Sequence, residues 1–262
     1  MSMNSIVRRL LHLSDLHFGR VDELLLSPLG AVIRSIKVDL VIISGDFTQR
    51  ARRAQFEAAR KFLDSLQVPT LVVPGNHDIP LYKLWRRFFR PFGHYQKYIS
   101  GDLEPTFIDD EVAVLGMNTV SLWKVEGAYG DRRLHKLATK FASLPPHVLK
   151  ILVTHHPVPV KTLFNRKLGF DVQLAGHLHR AGHGVAENYR GYLAIQAGTS
   201  TSTRRRDGEN NSFNLLEVDG TELKVQRYEW EASPPVFTMR GESRFRLTPE
   251  GWQALEPAGG AT

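Results

Sequence analysis

Leu40-Val41-Ile42-Ile43-Ser44-Gly45-Asp46 is the stretch on which the fold turns. Four apolar residues in a row, rich in β-branched side chains, run into a polar turn that ends on a carboxylate. A run this short and this regular reads as a buried strand. Runs of the same kind recur at 6–13, 70–73, 112–118, 151–154, 172–175 and 192–197, and most end in Gly, Pro, Asp or His. Between the early ones lie helical patterns. In 21–36, Leu24, Leu25, Leu29, Val32, Ile33 and Ile36 fall near helical spacing; in 51–66, Phe56, Ala59, Phe62, Leu63 and Leu66 share one face. A third helical pattern covers 80–98, where Pro91 and Gly93 should interrupt it. A weaker fourth covers 131–141. This alternation predicts an α/β protein whose strands are buried by helices.

Further on, strands are expected at 213–218 and 223–229 around the hairpin signal Asp219-Gly220. Residues 1–230 read as one catalytic domain. The remainder, 231–262, holds Pro234-Pro235, Pro257 and Gly259-Gly260, and reads as a loosely attached appendage with one ordered piece over 245–252. It is not expected to form a separate domain.

Composition narrows the classes. No stretch approaches the roughly 20 apolar residues of a membrane span. Cysteine is absent, which excludes disulfides and thiolate metal sites. The opening residues lack an apolar signal core and a cleavage site, so the expected location is cytoplasmic. The formal net charge of +7 favours anionic partners. Its cations cluster at Arg52-Arg53, in Trp85-Arg86-Arg87-Phe88-Phe89-Arg90 and at Arg204-Arg205-Arg206.

The chemistry lies at the strand ends. They carry, in order, Asp15-Leu16-His17, Gly45-Asp46, Gly75-Asn76-His77-Asp78, His155-His156-Pro157 and Gly176-His177-Leu178-His179. In α/β sheets the carboxyl ends of strands face one crevice, so Asp15, His17, Asp46, Asn76, His155, His177 and His179 could converge. Asp-x-His or Gly-Asp alone is an ordinary turn. Gly-Asn-His-Asp is not demanded by any turn, and five such clusters at successive strand ends point to a joint purpose. The donors are nitrogen and oxygen only, which suits Mn, Fe, Zn or Co. Seven are too many for one ion and suit two, bridged by a carboxylate, an arrangement that serves phosphoryl displacement.

The pattern D-x-H, G-D, G-N-H-[DE], a later His and G-H-x-H resembles the calcineurin-like metallophosphoesterase family. All five parts stand in order between Leu11 and His179. The segments Gly198-Thr199-Ser200 and Ser212-Phe213-Asn214-Leu215 resemble the bacterial branch that includes class III cyclic-nucleotide phosphodiesterases. The resemblance implies a four-layer α/β/β/α sandwich of two mixed sheets flanked by helices. It implies two divalent or mixed-valence transition-metal ions: one on Asp15, His17 and His179, one on Asn76, His155 and His177, with Asp46 between them. It implies that His77 faces the phosphate as the catalytic residue. Where some relatives carry an Asp to orient that histidine, this chain has Gln49, so another group must orient it. Asn118, His156 and His183 are candidates for touching substrate or supporting the ligands. His12 is expected to be packed or half exposed.

The function so implied is phosphodiesterase action on a small anionic substrate, with a cyclic nucleotide first. An alternative is a pyrophosphohydrolase or phosphatase acting on a membrane-associated, lipid-linked substrate, prompted by the basic-aromatic segment 81–98. A minor one is a non-catalytic interaction module on the same fold. The partner expected is the phosphorylated substrate; segment 81–98 reads first as a helix packing its aromatics onto the core or as a dimer contact, with peripheral membrane contact as the alternative and a homodimer as a further alternative. No nucleic-acid motif appears.

Overall fold

A computed structural model describes residues 7–159, 168–186, 191–206 and 208–255. Its first sheet begins with three parallel strands, β1 (Arg8–Leu13), β2 (Leu40–Ile43) and β3 (Thr70–Val72). On the other side of β1 it continues antiparallel through β10 (Ser212–Asp219), β11 (Glu222–Ala232), β12 (Pro235–Thr248) and β13 (Gly251–Leu255). The second sheet runs β4 (Thr106–Ile108), β5 (Val112–Gly116), β6 (Leu149–Val153), β7 (Val172–Ala175), β9 (Leu193–Gln196) and β8 (Gly182–Val185). Its four central strands are parallel.

Alternation along the strands decides the layers. Leu10, Ile42, Val73, Val114, Ile151 and Leu174 meet between the two sheets. Leu11, Leu13 and Ile43 point the other way, onto α1 (Glu23–Ile36) and α2 (Arg53–Leu66), through Leu29, Ile33, Phe56 and Phe62. Ala113, Leu115 and Leu152 cover α5 (Asp131–Ala142) through Leu134, Leu137 and Phe141. The result is the four-layer α/β/β/α sandwich that the resemblance implies. Each buried Leu, Ile, Val or Phe among them is worth roughly 1.5–3 kcal/mol relative to exposure. Helix α1 starts where the pattern places it because Asp22 caps it, accepting from the Leu24 amide at 3.1 Å. No helix among the described residues is long and apolar enough to cross a membrane.

One expected interruption is found, and one expectation needs adjusting. The helical pattern over 80–98 is two short helices, α3 (Leu84–Phe89) and α4 (Gly93–Tyr98), split around Pro91. The appendage reading of 231–262 is overturned for its described part. Strand β11 runs to Ala232, and β12 and β13 complete the first sheet. Phe237, Phe245 and Trp252 are buried, and the Trp252 indole donates to the Asp171 carbonyl at 2.7 Å. Residues 256–262 lie outside the described residues.

Candidate metal centre

The parallel strands of both sheets end along one edge of the sandwich, and the loops leaving them are stitched together. The Asp15 amide donates to the Gly45 carbonyl at 3.1 Å, the His17 amide to the Asp46 carbonyl at 2.9 Å, and the Gly176 amide to the His155 carbonyl at 3.0 Å. Space between the loops is minimal. A side chain on Gly75 would lie 2.1 Å from the Asp46 carboxylate and 2.3 Å from its amide; one on Gly176 would lie 1.8 Å from the Ser14 hydroxyl. These two motif glycines are there for close approach. A second cost is conformational. Asp15, His17, Asp46, His177 and His179 all have φ between 50° and 72°, the left-handed region, at roughly 1–2 kcal/mol each. Strain concentrated on one set of side chains marks a site.

Each carboxylate divides its labour. Asp15 Oδ2 accepts from the Ser14 hydroxyl at 2.6 Å and the His177 amide at 3.0 Å. Its Oδ1 is buried with no hydrogen-bond partner, 3.3 Å from His179 Nε2 and 3.6 Å from His17 Nε2. Asp46 Oδ1 accepts from the His77 amide at 2.8 Å, while Oδ2 lies 3.4 Å from His155 Nε2 and 3.8 Å from His17 Nε2. The histidine tautomers are set from behind. His155 Nδ1 donates to the Ser44 carbonyl at 2.7 Å, and His179 Nδ1 to the Arg204 carbonyl at 2.9 Å. In both rings Nε2 is left to face the pocket.

Two adjoining pockets result. Ligand atoms of Asp15, His17, Asp46 and His179 lie within 4.8 Å of one another. In the other pocket Asn76 Oδ1 lies 3.0 Å from His155 Nε2 and 3.2 Å from His177 Nδ1, with Asp46 Oδ2 alongside. An orphaned carboxylate oxygen facing two imidazole nitrogens, themselves 3.3 Å apart, is a setting that a cation fits. The electrostatics agree. Burial raises the Asp46 carboxyl, but His155 and His17 overcome it and hold the group well below the carboxylate range. Burial lowers the His155 imidazole, yet the Asp46 charge beside it prevails and lifts it to about 9. Burial and His155 together push His177 down to about 4. The carboxylates thus stay ionised and hold cationic charge against themselves. All seven residues singled out in the sequence are brought together here.

Comparison with known proteins places this geometry. The profile of the calcineurin-like phosphoesterases matches residues 8–181. This chain belongs to that family. The chain is 24% identical over 171 residues to a probable cyclic nucleotide phosphodiesterase of Vesicomyosocius okutanii, covering 62% of this chain and 67% of the relative. It is 26% identical over 165 residues to the 3',5'-cyclic adenosine monophosphate phosphodiesterase CpdA of Escherichia coli K12, covering 58% and 56%. The chain thus spans little more than half of CpdA's length. Among solved structures, a dimetal phosphatase of Danio rerio superposes with a TM-score of 0.66 at 13% identity, covering 92% of this chain and 99% of that one, a likeness of fold.

Around its pockets the chain places further groups. His77 Nδ1 donates to the Gln49 backbone carbonyl at 2.9 Å, so the missing orienter is main chain, three residues past Asp46. Burial lowers the His77 imidazole. Arg204 is the residue that sequence reasoning missed. Its Nη1 donates to His77 Nε2 at 2.8 Å while its carbonyl holds His179. The only signal was its place in a basic run after the last parallel strand. Asp78 locks the loops together, accepting from the amides of Phe47, Thr48 and Gly75 at 2.9–3.2 Å; burial and the nearby Asp46 raise it to about 7. His156 stands behind the second pocket. Its ring lies 4.5 Å from that of His177, its Nδ1 is 2.8 Å from the Thr119 hydroxyl, and burial lowers it to about 2. Asn118 is buried, with its side-chain oxygen taking the Val120 amide at 2.9 Å. His183 is not brought to the site. It lies on β8, bonded to Ser243 at 2.9 Å and edge-on to Phe245. His12 is fully buried.

Proposed function

We propose that this chain is a dinuclear-metal phosphoesterase whose substrate is a small anionic phosphodiester such as a 3',5'-cyclic nucleotide. The observation that carries the reading is Asp46 Oδ2, one oxygen within 3.8 Å of ligand nitrogens in both pockets. Asp15, His17, Asp46 and His179 would hold one ion; Asp46, Asn76, His155 and His177 the other. Two such ions supply an activated water and neutralise charge on phosphoryl oxygens.

The chain's own groups do the rest. His77, with Nδ1–H fixed on the Gln49 carbonyl, presents Nε2 as the atom that can take up a proton and pass it to the leaving alkoxide. Arg204 lies beside that nitrogen and offers the bidentate fork that phosphoryl oxygens accept. The names of the two relatives support the diester, and the cyclic nucleotide is the first candidate on that basis. A non-catalytic role is disfavoured because every ligand position and His77 are filled.

The test is hydrolysis of cyclic AMP and bis(p-nitrophenyl) phosphate by protein loaded with Mn²⁺, with metal counted in parallel. Asp46→Ala should lose metal and turnover together. His77→Ala should keep its metal and lose roughly 10²–10⁴-fold in rate. Failure of the metal-loaded chain to cleave any diester would overturn the reading, and so would two tightly held ions in Asp46→Ala.

A further inference from the structure

The basic-aromatic segment after His77 divides in two. Its second half packs inward: Tyr95 is fully buried, and Phe92 and Tyr98 lie against the same core. Its first half does not. Trp85 is 72% exposed and Phe89 65%, and Trp123 in the neighbouring loop is 78% exposed. Of thirteen exposed large hydrophobic side chains among the described residues, eight lie between Leu81 and Phe89 or at Trp123 and Val125. This is one patch. Scattered apolar residues are ordinary, but a contiguous exposed group marks an interaction surface.

The patch is built. Trp85 and Phe89 pack with ring centres 4.0 Å apart and planes tilted by 33°, and Phe88 meets Trp123 at 5.1 Å. Arg87 pins the two segments together, donating through Nη1 to the Pro80 carbonyl at 3.0 Å and through Nε to that of Leu122 at 3.2 Å. Both segments grow from the metal centre. Pro80 follows the Asn76-His77-Asp78 turn, and the other loop leaves from Thr119, which holds His156. The patch therefore borders the mouth of the pockets.

Charge selects the occupant. From Ile79 to Gly101 there is no Asp or Glu, while Lys83, Arg86, Arg87, Arg90 and Lys97 are all cationic. Between Thr119 and Gly130 Lys124 is balanced by a lone acid, Glu126. A second copy seated on this face would set its cations against the same cations. An apolar groove would leave them unpaired. Anionic phospholipid meets both demands, with a headgroup boundary that takes aromatic rings and phosphates that take Lys and Arg. We infer that this face docks the protein on an anionic phospholipid surface, with the mouth of the metal centre toward the bilayer. The inference is separable from the phosphoester reading, because binding is measured on vesicles that carry no substrate.

The experiment is flotation of the full chain with vesicles of phosphatidylcholine alone or mixed with phosphatidylglycerol, with tryptophan emission followed alongside. Wild type should float with the anionic vesicles, more weakly as salt rises, with a blue shift from Trp85 and Trp123. W85S/F89S/W123S, with unchanged far-ultraviolet dichroism and unchanged hydrolysis of a soluble diester, should bind roughly tenfold more weakly or worse. K83Q/R90Q/K124Q should lose roughly fivefold per charge on anionic vesicles and little on neutral ones. Wild type that stays with the soluble fraction overturns the inference. So does a serine variant that floats as well as wild type, or a wild-type dimer that the serine substitutions turn into monomer.

Discussion

His12 and His17 leave the same strand and meet different fates. His17 emerges into the metal centre. His12 points between the sheets on the same face as Leu10, with Nε2 2.9 Å from the Ser44 hydroxyl and Nδ1 unpartnered. Burial pushes its imidazole down to about 3, against a weaker opposing pull from Asp15. As pH falls below about 6.5, the unfolded chain takes a proton at this position that the folded chain refuses, so stability drops with acid. Urea unfolding of chelator-treated protein should show wild type losing about 2 kcal/mol more than His12→Gln between pH 7 and pH 5. Parallel curves for the two would refute the assignment. At this scale the sequence is legible wherever chemistry has a residue letter. Asp15, His17, Asp46, Asn76, His155, His177 and His179 stand in a pattern that turns alone do not explain. The group that orients His77 has no letter, because it is the main-chain carbonyl of Gln49. Nor does sequence disclose that five of these seven residues sit in left-handed backbone. Arg204 was visible only as one of three arginines.

Among the elements, the loops that follow β2 and β3 depend on a clearance that only glycine allows. Gly75 has φ of −109°, which any residue adopts, so its requirement is room alone. Gly75→Ala should push Asp46 out of place, destabilise the chain by about 1–3 kcal/mol and weaken metal binding. Gly101→Ala, with nothing within 4 Å of the added carbon, should leave both unchanged. Thermal melts and a metal titration of the two variants distinguish them; equal behaviour would mean the loops can part freely. The parallel strands were readable because each is buried on both faces and so is apolar throughout. Strand β12 was not. Over Thr238-Met239-Arg240-Gly241-Glu242-Ser243-Arg244 it is largely solvated on both faces, leaving no apolar period to detect. The break within 80–98 was readable, since proline cannot continue a helix. Which of that segment's aromatics face outward was not, because polar and apolar residues alternate there without a single period.

Taken whole, the protein joins two sheets whose facing surfaces interlock only through side chains such as Leu10, Ile42, Val114 and Ile151. The metal centre lies across that seam. Asp15, His17, Asp46 and Asn76 follow strands of the first sheet; His155, His177 and His179 follow strands of the second. Each pocket draws on both layers. Cations seated there would act as rivets through a joint otherwise closed by greasy contact. Whatever prises the layers apart at that end would first have to shed the ions, and whatever extracts the ions would loosen the joint. Amide hydrogen exchange should reveal this: Mn²⁺ should slow exchange in β1 and β6 together, while the outlying β12 and β13 hardly change. Slowing confined to one layer would mean that the cations grip a single sheet. With both layers held, chelators would act on a molecule that breathes open along its seam, and the rate of stripping would report how often the sandwich parts.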